Sequence, residues 1–171
     1  MITRSISDKK HSSAHAYRKP KAGSSADRGA VAEPIEEPEM TRTTVTAADL
    51  TPPVGPFAQG VWAGDLLYTS GQVGQDPATG TMVDGGVAAE TYQTFENIRR
   101  VLAAAGLGFE HVIKAQVFLT DINDFAAMND VYSRTFAAPF PARTTVQVTK
   151  LALNARVEID VVARRLEANG S

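Results

Sequence analysis

Arg156-Val157-Glu158-Ile159-Asp160-Val161-Val162-Ala163 is the stretch from which the fold of this 171-residue chain is read. Successive strand residues point to opposite sides, so Val157, Ile159 and Val161 share one face and Arg156, Glu158 and Asp160 the other. A strand divided in this way has one face on a core and one face free of it. Upstream, Pro139-Phe140-Pro141-Ala142-Arg143-Thr144-Thr145-Val146-Gln147-Val148 reads as its hairpin partner, joined to it through Leu151 to Asn154. The two prolines fix φ and stiffen an extended lead. Beyond them Arg143, Thr145 and Gln147 alternate with Thr144, Val146 and Val148. If both valine-bearing faces turn to the core, Arg143, Gln147 and Glu158 must share the opposite face, because a one-residue slip would turn every apolar side chain outward.

The rest of the chain supplies the layer that covers the apolar face. Thr43 to Thr46, Phe57 to Trp62 and Leu66 to Ser70 read as three early strands, with Ala63-Gly64-Asp65 as a turn between the last two. A glycine-punctuated loop leads to a helix over about 87–105. Ala88, Tyr92, Phe95, Ile98, Leu102 and Ala105 form its apolar stripe, and Gly106 stops it. Val112 to Leu119 is a further strand. Asp124 is placed to cap a second helix reaching Phe136, with the stripe Phe125, Met128, Asn129, Tyr132 and Phe136. The order βββαβαββ predicts an α+β fold, a mostly antiparallel six-stranded sheet with two helices on one face. Phe118 falls beside Lys114 and Gln116, and Val162 among charges, so the uncovered face is half apolar and suits a subunit interface with clefts at its edges.

Residues 1–40 are rich in Ser, Ala, Lys and Arg and end in an acidic, proline-bearing run, a composition that cannot offset its ordering entropy. They are expected to be a disordered extension, with a domain over 41–166 and a tail over 167–171. Up to Arg28 the chain carries seven Lys and Arg against two Asp, whereas from Thr41 onward ten Lys and Arg face thirteen Asp and Glu. The domain therefore lacks the basic footprint of a nucleic-acid binder. No apolar run approaches the roughly 20 residues a membrane helix needs, and no signal-peptide pattern is visible, so a cytoplasmic location is expected. With no cysteine and only three histidines, two of them in the N-terminal region, neither a thiolate nucleophile nor a histidine-based triad or zinc cluster can be assembled.

What remains for chemistry is small. Arg143 and Glu158 can be a structural ion pair on a sheet. Alternatively the planar guanidinium can grip a small acid in two-pronged fashion while the carboxylate orients or deprotonates a water. Asn129 reads either as a satisfied core amide or as a cleft residue. Ser70, in Thr69-Ser70-Gly71-Gln72, is a turn residue with no histidine to activate it. The glycines from Gly71 to Gly86 do not form a phosphate loop, and Asp121, Asn123 and Asp124 suit capping better than calcium.

Taken in order, Gly55-Pro56-Phe57-Ala58-Gln59, Thr69-Ser70-Gly71-Gln72, Glu96-Asn97-Ile98, Asp124-Phe125 with Asn129 and Tyr132, Pro141-Ala142-Arg143 and Val157-Glu158-Ile159 resemble the RidA (YjgF/YER057c/UK114) family. The resemblance covers residues 42–165. It implies a chorismate-mutase-like α+β fold, a homotrimer around a central barrel with clefts between subunits, and hydrolysis without a cofactor of 2-aminoacrylate, 2-iminopropanoate or 2-iminobutanoate to 2-oxo acids and ammonia. By position, Arg143 matches the arginine that grips the substrate carboxylate and Glu158 the glutamate that positions water. Asn129, Ser70, Gly71, Phe57 and Thr145 match cleft-lining positions. Phe57 stands where tyrosine is usual, Thr145 where many members have cysteine, and Glu90 where glutamine is common. A metabolite-binding or client-shielding module, and an RNA-cleaving one, are the other activities attributed to the family.

Overall fold

The computed structural model describes residues 42–165, so the expected extension over 1–40 and the tail lie outside the described residues. The strands are β1 (Thr43–Val45), β2 (Gly60–Ala63), β3 (Leu66–Thr69), β4 (Gln72–Val73), β5 (Val112–Leu119), β6 (Ala142–Gln147) and β7 (Val157–Arg164). The helices are α1 (Gly86–Ala104) and α2 (Phe125–Thr135), which pack against each other. All strands join one sheet in the order β1-β2-β3-β7-β5-β6, with β4 also paired to β7. None of the described helices is long and apolar enough to cross a membrane.

The α+β class stands, but the sheet differs from the six-stranded expectation. It has seven strands, β4 being the addition, and it is mixed because β5 and β6 run parallel. The reason is α2: a helix between two strands carries the chain back to the starting end, and a parallel pair needs a crossover of that length. The expected hairpin between the last two strands is therefore absent. β7 pairs with β3, β4 and β5, and β5 separates it from β6.

The alternation in β7 holds. Val157, Ile159, Val161 and Ala163 are buried and face β5 residues Leu119, Val117, Ala115 and Val112 on the covered side. The stripe on α1 is shifted in its first half. Val87, Thr91, Phe95, Ile98, Val101 and Leu102 turn inward, whereas Ala88 is exposed and Tyr92 is 62% exposed. Thr91 is tolerated inside because its hydroxyl donates to the Val87 carbonyl at 2.6 Å, which removes the cost of an unpaired polar group. Phe95, Phe109, Tyr132 and Phe136 meet mostly edge to face and lock α1 to α2. Gly106 ends α1 as expected. Its φ of 73° lets Leu107 N–H reach back to the Leu102 carbonyl at 2.9 Å.

Candidate active site

The sequence-predicted residues fall into two groups on opposite faces of the sheet. In β6, Arg143 is paired with Ala115 and Thr145 with Val117, both covered-side residues, whereas Glu158 of β7 is paired with Phe118 on the open side. The expectation that Arg143, Gln147 and Glu158 share a face is thus overturned, and with it the structural ion pair. The valine pattern misleads because β6 is an edge strand. Its Val146 is left 41% exposed on the open face, and on the covered side its Arg143 meets aromatic rings of α2 rather than the centre of the core.

An arginine can occupy that side because α2 offers aromatic faces. The Arg143 guanidinium carbon lies 4.3 Å from the ring centre of Tyr132 and 5.4 Å from that of Phe125. A weakly hydrated, delocalised cation is stable in such a seat. Among the described residues it has no carboxylate partner. Phe125, Asn129 and Tyr132 are spaced by four and three residues and so line one face of α2, which puts half-buried Asn129 beside the aromatics that hold the cation. Burial pushes the Tyr132 hydroxyl up from its ordinary pKa, and the Arg143 charge pulls it partly back. The Thr145 hydroxyl is buried without a hydrogen-bond partner among the described residues. Gln147 holds the turn that precedes α2, its side-chain oxygen accepting from Ile122 N–H at 3.2 Å.

The second group surrounds a cavity of about 430 Å³ lined by Phe57, Ser70, Gly71, Asn97 and Glu158 among others. Glu158 is half-buried, and desolvation, reinforced by the neighbouring charge of Asp160, raises its carboxyl above the usual glutamate range. Its side chain lies directly over Gly71, where a Cβ would collide with the carboxylate and force it to move. Ser70 donates its hydroxyl to the Ala58 carbonyl at 2.6 Å and acts as a turn residue, as its sequence context predicts. Phe57 is half exposed at the rim. A carboxylate whose proton is held more tightly than usual suits proton exchange with water, and the stacked arginine suits a carboxylate ligand.

Two supporting residues have little signature in the sequence. Asn97, 3% exposed on α1, donates both amide hydrogens outward, to the Val73 carbonyl at 3.0 Å and the Gln75 carbonyl at 2.8 Å. It holds the segment that follows Gly71. Its place in Glu96-Asn97-Ile98 was the only available signal. Glu90, also buried on α1, accepts from Arg156 N–H at 2.7 Å and lies 3.7 Å from the Arg156 guanidinium, anchoring the start of β7 just before Glu158. Asp124 stands at the N-cap of α2 but makes no side-chain capping bond. It faces Arg156 at 3.9 Å, while Asp121 caps the preceding turn through Asn123 N–H at 2.9 Å.

An α+β chain with a mixed sheet, two helices on one side and an arginine and a glutamate held apart defines a recognisable structural class. The profile of the endoribonuclease L-PSP family matches residues 47–165. The chain belongs to that family, the RidA/YjgF group. It is 45% identical over 124 residues to the 2-iminobutanoate/2-iminopropanoate deaminase of Capra hircus, covering 72% of this chain and 90% of that one. The human protein of the same name is 41% identical over 124 residues, with 72% and 90% covered. Among solved structures, RidA from an Antarctic Psychrobacter superposes with a TM-score of 0.70 at 38% identity, over 72% of this chain and all of that one. Escherichia coli TdcF, crystallised with bound serine, superposes with a TM-score of 0.68 at 34% identity, over 72% of this chain and 99% of that one.

Proposed function

We propose that this chain hydrolyses small 2-imino acids and their enamine tautomers, among them 2-aminoacrylate, 2-iminopropanoate and 2-iminobutanoate, to 2-oxo acids and ammonia in clefts between subunits of a homotrimer. The single observation that carries the reading is the separation of Arg143 from Glu158 on opposite faces of one sheet. One chain holds two incomplete halves, and a second copy seated against the cavity would bring an unpaired guanidinium to a carboxylate of raised pKa. The half-apolar open face, with Tyr68 48% and Val146 41% exposed, supplies surface for such an assembly. Serine in a relative's crystal and deaminase names on relatives above 40% identity support a ligand with a carboxylate beside nitrogen.

In this reading Arg143 pairs with the substrate carboxylate, and Asn129 lines the same half. Glu158 takes a proton from water as the oxygen bonds to C2 and the C=N π pair moves to nitrogen, which is protonated. The resulting carbinolamine loses ammonia as its hydroxyl proton leaves and C=O forms. Imines already hydrolyse in water, so orientation alone is a large part of the task. The acidic domain argues against RNA as the substrate, despite the family's name.

The deciding assay couples a threonine or serine dehydratase to the purified protein and follows 2-oxo acid above spontaneous hydrolysis. Acceleration is expected. Arg143→Ala should lower kcat/KM by on the order of a hundredfold, the worth of about 3 kcal/mol of charge-assisted hydrogen bonding, with the assembly unchanged by sedimentation. Equal rates with and without the protein would defeat the deaminase reading in favour of a binding module.

A further inference from the structure

The cavity beside Glu158 has a wall that the hydrolysis does not use. Pro53, Val54, Phe57, Ala152 and Leu153 line it together with the polar Ser70, Gln72 and Glu158. Three of these apolar side chains are open to solvent, Val54 at 94%, Phe57 at 50% and Leu153 at 54%. Apolar surface gathered in a cleft with a few polar groups is what a small-molecule site presents to the apolar part of its ligand. A volume of about 430 Å³ lies within the roughly 300–1,000 Å³ usual for small-molecule pockets, more room than a methyl or ethyl side chain needs.

Leu153 adds an independent observation. It has φ 54° and the next residue, Asn154, φ 56°, so a branched apolar residue sits in the left-handed region that glycine or asparagine ordinarily occupies. Strain of this kind persists where the surroundings or the function hold it. Here the strained residue presents an exposed leucine to the cavity. Phe57 lines the same cavity with a ring that packs near Gly55 and carries no hydroxyl.

We infer that the preferred substrates are 2-imino acids with apolar side chains larger than ethyl, seated against Val54, Phe57 and Leu153. The inference rests on the deaminase reading and specifies its substrate class. Such imines arise from oxidation of branched or aromatic amino acids by a dehydrogenating or oxidising enzyme.

Imines made in situ from alanine, leucine and phenylalanine by an L-amino acid oxidase, with catalase present, are offered to the protein, and hydrolysis above the spontaneous rate is measured. The expected kcat/KM is about tenfold or more higher for the leucine-derived than for the alanine-derived imine, as contact with added methylenes allows. The double variant Val54→Ser, Leu153→Ser should bring that ratio down to about one. Leu153→Gly, which relieves the left-handed strain, should lower the ratio while leaving the melting temperature equal or higher. A parent ratio of about one or below, or a ratio unmoved in both variants while the melting temperature changes, overturns the inference and leaves the deaminase reading standing. Absence of turnover with every imine, including the dehydratase products, overturns both.

Discussion

At the scale of single residues, the site depends on what surrounds each charged group. Glu158 has its carboxyl raised first by desolvation and then by Asp160. A general base must be ionised, so kcat/KM should fall with acid through a value above the ordinary glutamate range. Asp160→Asn removes the like charge, favours the ionised form and should move that limb to lower pH, as a pH–rate profile would register. The sign for stability is the reverse of a salt-bridged carboxylate. The folded state holds this proton more tightly than the unfolded chain, so its contribution is present at low pH and lost as pH rises through the raised value. Gly71→Ala would put a methyl where the Glu158 carboxylate sits. If Glu158 is the base proposed above, its displacement should cut kcat by on the order of a hundredfold, with a smaller change in melting temperature.

At the scale of elements, α1 carries the polar anchors. Asn97→Ala leaves the Val73 and Gln75 carbonyls without their donor and should cost about 2 kcal/mol in urea unfolding. Glu90→Ala strips the acceptor from Arg156 N–H and should cost about as much, whereas Glu90→Gln keeps an acceptor and should cost well under half of it. These residues also mark where the sequence stops being legible. The spans of both helices, the alternation of β7 and the turn role of Ser70 could be read from periodicity and motif. The inward turn of Glu90, Thr91 and Asn97 could not, because their burial is made tolerable by backbone partners that hydropathy does not register. The face of Arg143 was misread for a related reason: apolar counting treats a guanidinium as a solvent group, whereas Tyr132 and Phe125 give it a seat beneath α2.

At the scale of the whole molecule, the separation of the two halves makes a prediction that no single-chain site would satisfy. Arg143→Ala damages one half and Glu158→Gln the other. When the two inactive variants are unfolded, mixed in equal amounts and refolded together, a quarter or so of the clefts should receive an intact half from each side if copies associate at random in a closed ring. Recovery of roughly that share of parental activity is expected, with none on mixing without refolding if exchange is slow. A mixture that stays inactive after refolding would place the reaction within one chain.

The position of β7 has a bearing on how the protein is made. This strand lies between β3 and β5, yet it is nearly the last part of the described chain to be synthesised. Until residues 157–164 have left the ribosome, β1 to β3 and the β5–α2–β6 unit have no shared edge and their apolar faces cannot be sealed together. Contacts of such long sequence separation also slow the final closure. A nascent chain is thus kept from completing its sheet until Glu158 is in it, so a product truncated before this strand lacks both its central brace and the carboxylate proposed as its base, and is open to early proteolysis.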